Sequence, residues 1–172
     1  MHHNHINKIE ADECVTRGIC SISTNLSFLH ELIKEYLREL SFYLLKLKEI
    51  GITNEKIKEN FIETFSGLIL RINYSEENLT KIIARLHADL TQAKDMYISV
   101  YKEKNLETEL IKTRIKSPKN ISLSEATRQG QKISNTITTK TTEKQRILFE
   151  LLLNITKSIC VHLVELRDLG LD

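Results

Sequence analysis

Residues 26–51 read LSFLHELIKEYLRELSFYLLKLKEIG. Leu29, Leu32, Ile33, Tyr36, Leu37, Leu40, Tyr43, Leu44 and Leu47 follow one another at spacings of three and one. That rhythm draws one apolar face on an α-helix, not the alternation of a strand. Gly51 comes just after the last apolar turn and after Lys46 and Lys48, where a C′ glycine ends a helix. Ser21 to Asn25 supply N-cap residues at the other end. The stretch predicts a helix over residues 26–50 with one buried side and Leu40 near its middle.

The neighbouring segments repeat this grammar. Thr53-Asn54-Glu55 opens a second predicted helix that closes near Arg71, with Ile57, Phe61, Ile62, Phe65, Leu68 and Ile69 expected inside. Asn73 to Ser75 punctuates again, and Ser75 with Asn78 gives half a capping box, position N3 lacking Glu or Gln. A third helix over 76–104 should bury Leu79, Ile82, Ile83, Leu86, Leu90, Ala93, Tyr97 and Val100. Three antiparallel helices on short loops close one core. Residues 22–104 are therefore expected as a three-helix bundle.

Residues 105–141 hold the only proline, Pro118, many Lys and Thr, and weak periodicity. They are expected as a linker, with a short helix over 123–132. A final long helix is predicted over 142–169, ended by Gly170, within a last segment 142–172. The fold class is all-α: a three-helix bundle, a linker, and one further long helix that repeats the first. Composition agrees. Five Gly and one Pro in 172 residues cannot supply the turns of an all-β sandwich or the glycine-rich turns of a doubly wound α/β fold.

The repeat appears when Gly51 is set on Gly170. Leu29, Leu32, Ile33, Leu40, Leu44 and Leu47 then meet Leu148, Leu151, Leu152, Ile159, Leu163 and Leu166. Glu31 meets Glu150, Lys48 meets Arg167 and Glu49 meets Asp168. Any two amphipathic helices share an apolar rhythm; the matched glycine stop and charges favour true repetition. Leu148, Leu152, Ile155, Ile159 and Leu163 form one stripe of the last helix, and Leu153, Cys160, Val161 and Val164 point to the opposite side. Such a helix wants cover on more than one side. It is expected to dock on the bundle with one part and to self-associate or bind a partner with the rest.

Lys plus Arg number 25 and Asp plus Glu 23, a net charge of +2 that gives no footprint for a polyanion. The basic run Lys112-Thr-Arg114-Ile-Lys116-Ser-Pro-Lys119 lacks aromatics for base stacking, so no nucleic-acid partner is expected. No apolar run reaches the ~18 residues of a membrane span, and no membrane partner is expected. The polar, His-bearing N-terminus is no signal peptide, and three Cys make no disulfide framework. A cytoplasmic location is expected.

The chemistry-bearing part is the N-terminal His/Cys segment 1–21. Cys14 and Cys20 bracket five residues that include Gly18. This spacing is wider than a zinc knuckle's, yet it lets two thiolates converge on one metal or cluster. Two unconnected thiols before a helix are the alternative. His30 and His87 read as surface or boundary residues, His162 as packed, Cys160 as core, and Glu55, Glu59, Glu63, Glu76 and Glu77 as solvated. The chain has no phosphate loop, no G-x-S-x-G, no H-E-x-x-H and no Glu-x-x-His pair of the di-iron type.

The string Cys14-x-Thr-x-Gly18-x-Cys20, the following Leu29-x-x-Leu-Ile-x-x-Tyr-Leu-x-x-Leu40-Ser-x-Tyr43 and Gly51 resemble the N-terminal helical region of the hybrid-cluster protein, or hydroxylamine reductase, family. That family is related to the nickel carbon monoxide dehydrogenases. Phe61 to Phe65 and Ile72 to Tyr74 resemble its second helix and exit turn. The resemblance implies two successive three-helix bundles, the second opening with a helix like the first. It also implies a cluster-binding quartet C-x2-C-x8-C-x5-C, with a Gly four residues after the third Cys. On that spacing the first two positions fall on His2 and His5, so the ligand set becomes His2, His5, Cys14 and Cys20. Two thiolates and two imidazoles suit tetrahedral zinc, and match the ligand count of a Rieske iron–sulfur centre. A His-rich terminus that binds metal adventitiously is the alternative. The family's substrate-reducing hybrid cluster is held by later domains, so no catalysis is expected from this chain alone.

The leading expectation is a metal- or iron–sulfur-binding helical accessory or electron-transfer module, with an iron–sulfur cluster or zinc as cofactor and a redox partner. Its alternatives are a cluster-free helical interaction module and a fragment of a longer reductase-like protein.

Overall fold

The computed structural model describes residues 23–70, 75–116 and 121–140, together with 142, 145, 148, 151, 152, 155, 159 and 162. Its elements are α1 (Thr24–Glu49), α2 (Glu55–Leu70), α3 (Glu76–Glu103) and α4 (Leu123–Lys140). No strand occurs among the described residues, and the all-α reading holds.

Each helix stops where local chemistry satisfies its ends. Ser23 caps α1, its hydroxyl accepting from the Leu26 N–H at 3.2 Å. At the other end the Gly51 N–H donates to Lys48 C=O at 3.0 Å and the Ile52 N–H to Leu47 C=O at 3.0 Å. This is a Schellman closure, and it explains the φ of +77° at Gly51. Asn54 caps α2 by accepting from the Ile57 N–H, and Ser75 caps α3 by accepting from the Asn78 N–H. α3 also ends in a Schellman closure, with Asn105 at φ 52° in the glycine's place. There the Leu106 N–H donates to Tyr101 C=O at 2.8 Å and the Asn105 N–H to Lys102 C=O at 3.2 Å.

α1 is the axis of the molecule, touching α2, α3 and α4. Its predicted face is the core: Leu29, Leu32, Ile33, Tyr36, Leu40 and Leu47 are at most 1% exposed. α3 answers with Leu79, Ile83, Leu86, Ala93 and Tyr97, all buried. Burying each large apolar side chain contributes about 1.5–3 kcal/mol. Tyr43, Tyr97 and Tyr101 continue the seam as ring contacts, with centroids 5.5 Å and 4.2 Å apart. Leu44, Ile82 and Val100 are half-buried at its edge.

α2 covers less. Ile57 is buried, Phe61, Phe65 and Leu68 are partly buried, and Ile62 is 52% exposed, not inside as expected. The stripe 57–61–65–68 runs at helical spacing, and Ile62 lies about 100° around the helix from Phe61. The side chain of Ile69 lies outside the described residues.

The segment after α3 differs most from its sequence reading. The expected helix 123–132 runs on to Lys140 and packs on α1, with Ala126, Gln129 and Ile133 buried. The extended residues before it also pack: Ile115 is 6% exposed and Ile111 leans on the core. Gly130 makes the α1–α4 contact. A Cβ built there would stand 1.9 Å from the Phe28 carbonyl oxygen. Two helix backbones approach this closely only where one carries no side chain.

Of the last predicted helix, Thr142 and Gln145 form a reciprocal cap. The Thr142 N–H donates to Gln145 Oε1 at 3.0 Å, and the Gln145 N–H to Thr142 Oγ1 at 3.4 Å. Residues 145, 148, 151, 152, 155, 159 and 162 are helical. Leu148, Leu151, Leu152, Ile155 and Ile159 are all about half exposed. His162, expected to be packed, is exposed as well, because it continues the 148–155–159 stripe at helical spacing. Cys160, Val161, Leu163 and Val164 lie outside the described residues, as does Leu153.

Candidate functional site

His2, His5, Cys14 and Cys20 lie outside the described residues. The described structure fixes the place where their segment joins the bundle. Ser23, which opens α1, sits with its hydroxyl 3.5 Å from Glu76 Oε1 at the start of α3. The two principal helices therefore begin at the same end of the bundle. Among the described residues no group of three or more His, Cys, Asp or Glu side chains is placed to hold a metal ion.

The described polar chemistry is gathered in three clusters. The first is on α1, where Glu35 and Glu39 are 4% and 3% exposed although both carry carboxyl groups. Arg38 donates to Glu35 Oε1 at 2.6 Å and to the Lys112 carbonyl at 3.3 Å. The Arg114 N–H donates to Glu39 Oε1 at 3.2 Å, and the Arg114 guanidinium stands 3.8 Å from Glu35 Oε2. The hydrogen bond to Glu35 holds the Arg38 guanidinium above its ordinary pKa, against the opposing effect of burial. Buried carboxyl groups demand such partners, and here those partners tie residues 112–114 to α1. Sequence reading missed this pair. The signal available was two acidic residues one turn apart beside the apolar stripe, with a basic run downstream.

The second cluster joins α1 to α3. The Tyr36 hydroxyl lies 3.3 Å from His87 Nδ1, and the two rings meet edge to face at 6.0 Å. Burial, and then the nearby Glu39, push the Tyr36 phenol far above its ordinary pKa, so it stays protonated. His87 is a boundary residue, as expected. It opens a groove of about 810 Å³ that runs along α3 past Thr91, Asp95 and Met96 to Val100.

The third cluster lies between α2 and α3. Asn60 Nδ2 donates to both oxygens of the buried Asp89, at 3.3 Å and 3.0 Å. Arg85 bonds Glu63 at 2.9 Å and the buried Thr64 at 3.1 Å. Burial raises the Asp89 carboxyl above the ordinary range, while Asn60, Arg85 and Lys56 pull it back. The second and third clusters join separate helices, and the first ties the extended residues 112–114 to α1; these are packing contacts between segments.

Comparison with known proteins supplies what these clusters do not. No family model and no solved structure matches the chain. Four curated relatives do, all of them hydroxylamine reductases, among them the following three. The protein of Thermosipho melanesiensis is 25% identical over 95 residues, 55% of this chain and 17% of its own length. That of Halothermothrix orenii is 24% identical over 92 residues, 54% of this chain and 17% of its own length. That of Clostridium novyi is 25% identical over 159 residues, 92% of this chain and 28% of its own length.

The chain distantly resembles the hydroxylamine reductases. It spans only about a sixth to a quarter of the length of these relatives. A match of 159 residues on a chain of 172 spans residues 14–159 wherever it starts. The similarity to the Clostridium novyi hydroxylamine reductase therefore takes in both N-terminal cysteines, all four described helices and the exposed leucine stripe. The resemblance expected from the Cys loop and the first helix is the one found.

Proposed function

We propose that the chain is a metal-binding helical module of the hydroxylamine-reductase type, carrying an iron–sulfur cluster or zinc on Cys14 and Cys20 with His2 and His5. It serves electron transfer or accessory functions. The observation that carries this reading is the 159-residue similarity to a hydroxylamine reductase, because it spans the Cys14-x5-Cys20 loop. The donor set fits: two thiolates and two imidazoles complete a four-coordinate zinc site or the ligand count of a Rieske centre. A redox partner would meet the molecule at the N-terminal His/Cys segment.

The test is the double variant Cys14→Ser/Cys20→Ser, compared with the unmodified chain after anaerobic preparation. Iron, sulfide and zinc content should fall to background while the far-ultraviolet circular dichroism stays unchanged. Undiminished metal content in the double variant would overturn the proposal.

The half-exposed Leu148, Leu151, Leu152, Ile155 and Ile159 favour a second reading, an interaction module that uses this stripe for a protein partner or for self-association.

A further inference from the structure

We propose that residues 106–116 and α4 form a latch that opens from α1 as one unit, turning at Asn105, while the α1–α3 core stays folded. The argument starts from how the backbone of this extended segment is satisfied. It pairs with no strand, and single side chains from three helices take its polar groups one at a time. Tyr97 of α3 accepts from the Glu109 N–H at 2.7 Å, and Glu39 of α1 accepts from the Arg114 N–H at 3.2 Å. Arg38 of α1 donates to the Lys112 carbonyl. The Ile111 backbone bonds the Tyr43 hydroxyl.

Gln129 makes the segment and α4 a single body. Its Oε1 accepts from the Lys116 N–H at 3.1 Å, and its Nε2 donates to the Lys116 carbonyl at 2.9 Å. The same Nε2 lies 2.9 Å from Glu125 Oε1, one turn earlier on α4. Gln129 is 5% exposed. If the segment left alone, this buried amide would lose both partners, which is costly. If α4 left alone, the Lys116 backbone would lose them. Leaving together keeps the pair intact.

What holds the unit down is correspondingly slight. Among the described side chains, α4 buries only Ala126, Gln129 and Ile133 fully besides its glycine contact, and Ile115 is the one fully buried apolar side chain of the extended segment. Thr113, Arg114 and Lys116 are exposed or edge positions where water can replace the hydrogen bonds. By contrast Leu40, Ile83 and Leu86 in the α1–α3 seam are 0% exposed. Regions with few buried apolar contacts open below the global unfolding free energy, as contiguous units. The Schellman turn at Asn105 separates the two regimes. Opening uncovers Glu35 and Glu39, whose cover is this segment.

Native-state hydrogen exchange on the full, unmodified chain, followed as urea is raised below the unfolding transition, tests the latch. The amides of Glu109, Arg114, Lys116 and α4 should merge into one opening at lower free energy than those of Leu40, Ile83 and Leu86. Exchange of all these amides in one global opening would overturn the proposal, as would separate openings for the segment and for α4. Gln129→Ala should then speed exchange in both parts by about tenfold and leave the α1–α3 amides unchanged. A rise confined to Arg114 and Lys116 would also overturn it.

Discussion

α1 and residues 148–159 carry the same apolar pattern and meet opposite fates. Leu29, Leu32, Ile33 and Leu40 are at most 1% exposed, whereas their repeat counterparts Leu148, Leu151, Leu152 and Ile159 are 52–56% exposed. The pattern specifies a helix and a sticky face; it does not specify what covers that face. For α1 the cover is supplied by α3 and α4, both of which pack on it. The difference teaches that burial in this chain belongs to the company a helix keeps.

The sharpest way to break this comparison is to truncate both members of one repeat pair. Leu40→Ala should destabilise the chain by about 2–5 kcal/mol in urea denaturation, because it opens a cavity in a closed seam. A cost under 1 kcal/mol would mean that the seam is loose. The second largest effect should come from Gly130→Ala. In an ordinary helix interior this exchange stabilises by up to about 1 kcal/mol. Here the new methyl meets the Phe28 carbonyl, so the sign should reverse, with a loss of about 1–3 kcal/mol. A gain in melting temperature would show that α4 does not cross α1 at this glycine.

A smaller effect, and one that depends on pH, is expected at Asp89. Its folded pKa is raised, chiefly by burial. The folded state therefore keeps this proton where the unfolded chain has released it. Its contribution is full below the unfolded value near pH 3.9 and is lost as pH rises through the folded pKa. Asp89→Asn should remove that decline, so variant minus parent stability should increase in favour of Asn between about pH 4 and pH 7. A difference that is flat with pH would contradict the assignment. The smallest effect belongs to the exposed repeat partner: Ile159→Ala should change the stability of the chain by less than about 0.5 kcal/mol. A cost near that of Leu40→Ala would show the stripe to be covered after all.

Much of the fold was legible because its signals are local. Ser23, Gly51 and Ser75 punctuate the helices where the sequence placed them, and Leu40 is buried. α4 was harder to read because it packs by contact types that hydrophobic periodicity does not count. Its inward positions are Ala126, Gln129, Gly130 and Ile133, two of them small and one polar. Its cap, Ser122 accepting from the Glu125 N–H, follows a basic segment with a proline that reads as linker. Ile62 misled because it adjoins Phe61 in sequence while lying off the buried stripe. Of what bears on function, the family resemblance was legible; the Glu35–Glu39 clasp was not, because the Arg114 N–H that binds Glu39 comes 75 positions later in the chain.

Metal analysis of the unmodified chain, prepared anaerobically and examined by absorption spectroscopy, tests the central claim most directly. The account predicts a bound metal ion or cluster at about one per chain, either iron with sulfide and visible thiolate-to-iron bands or colourless zinc. A folded, helical chain that carries neither metal, even after reconstitution with iron and sulfide or with zinc, would contradict it.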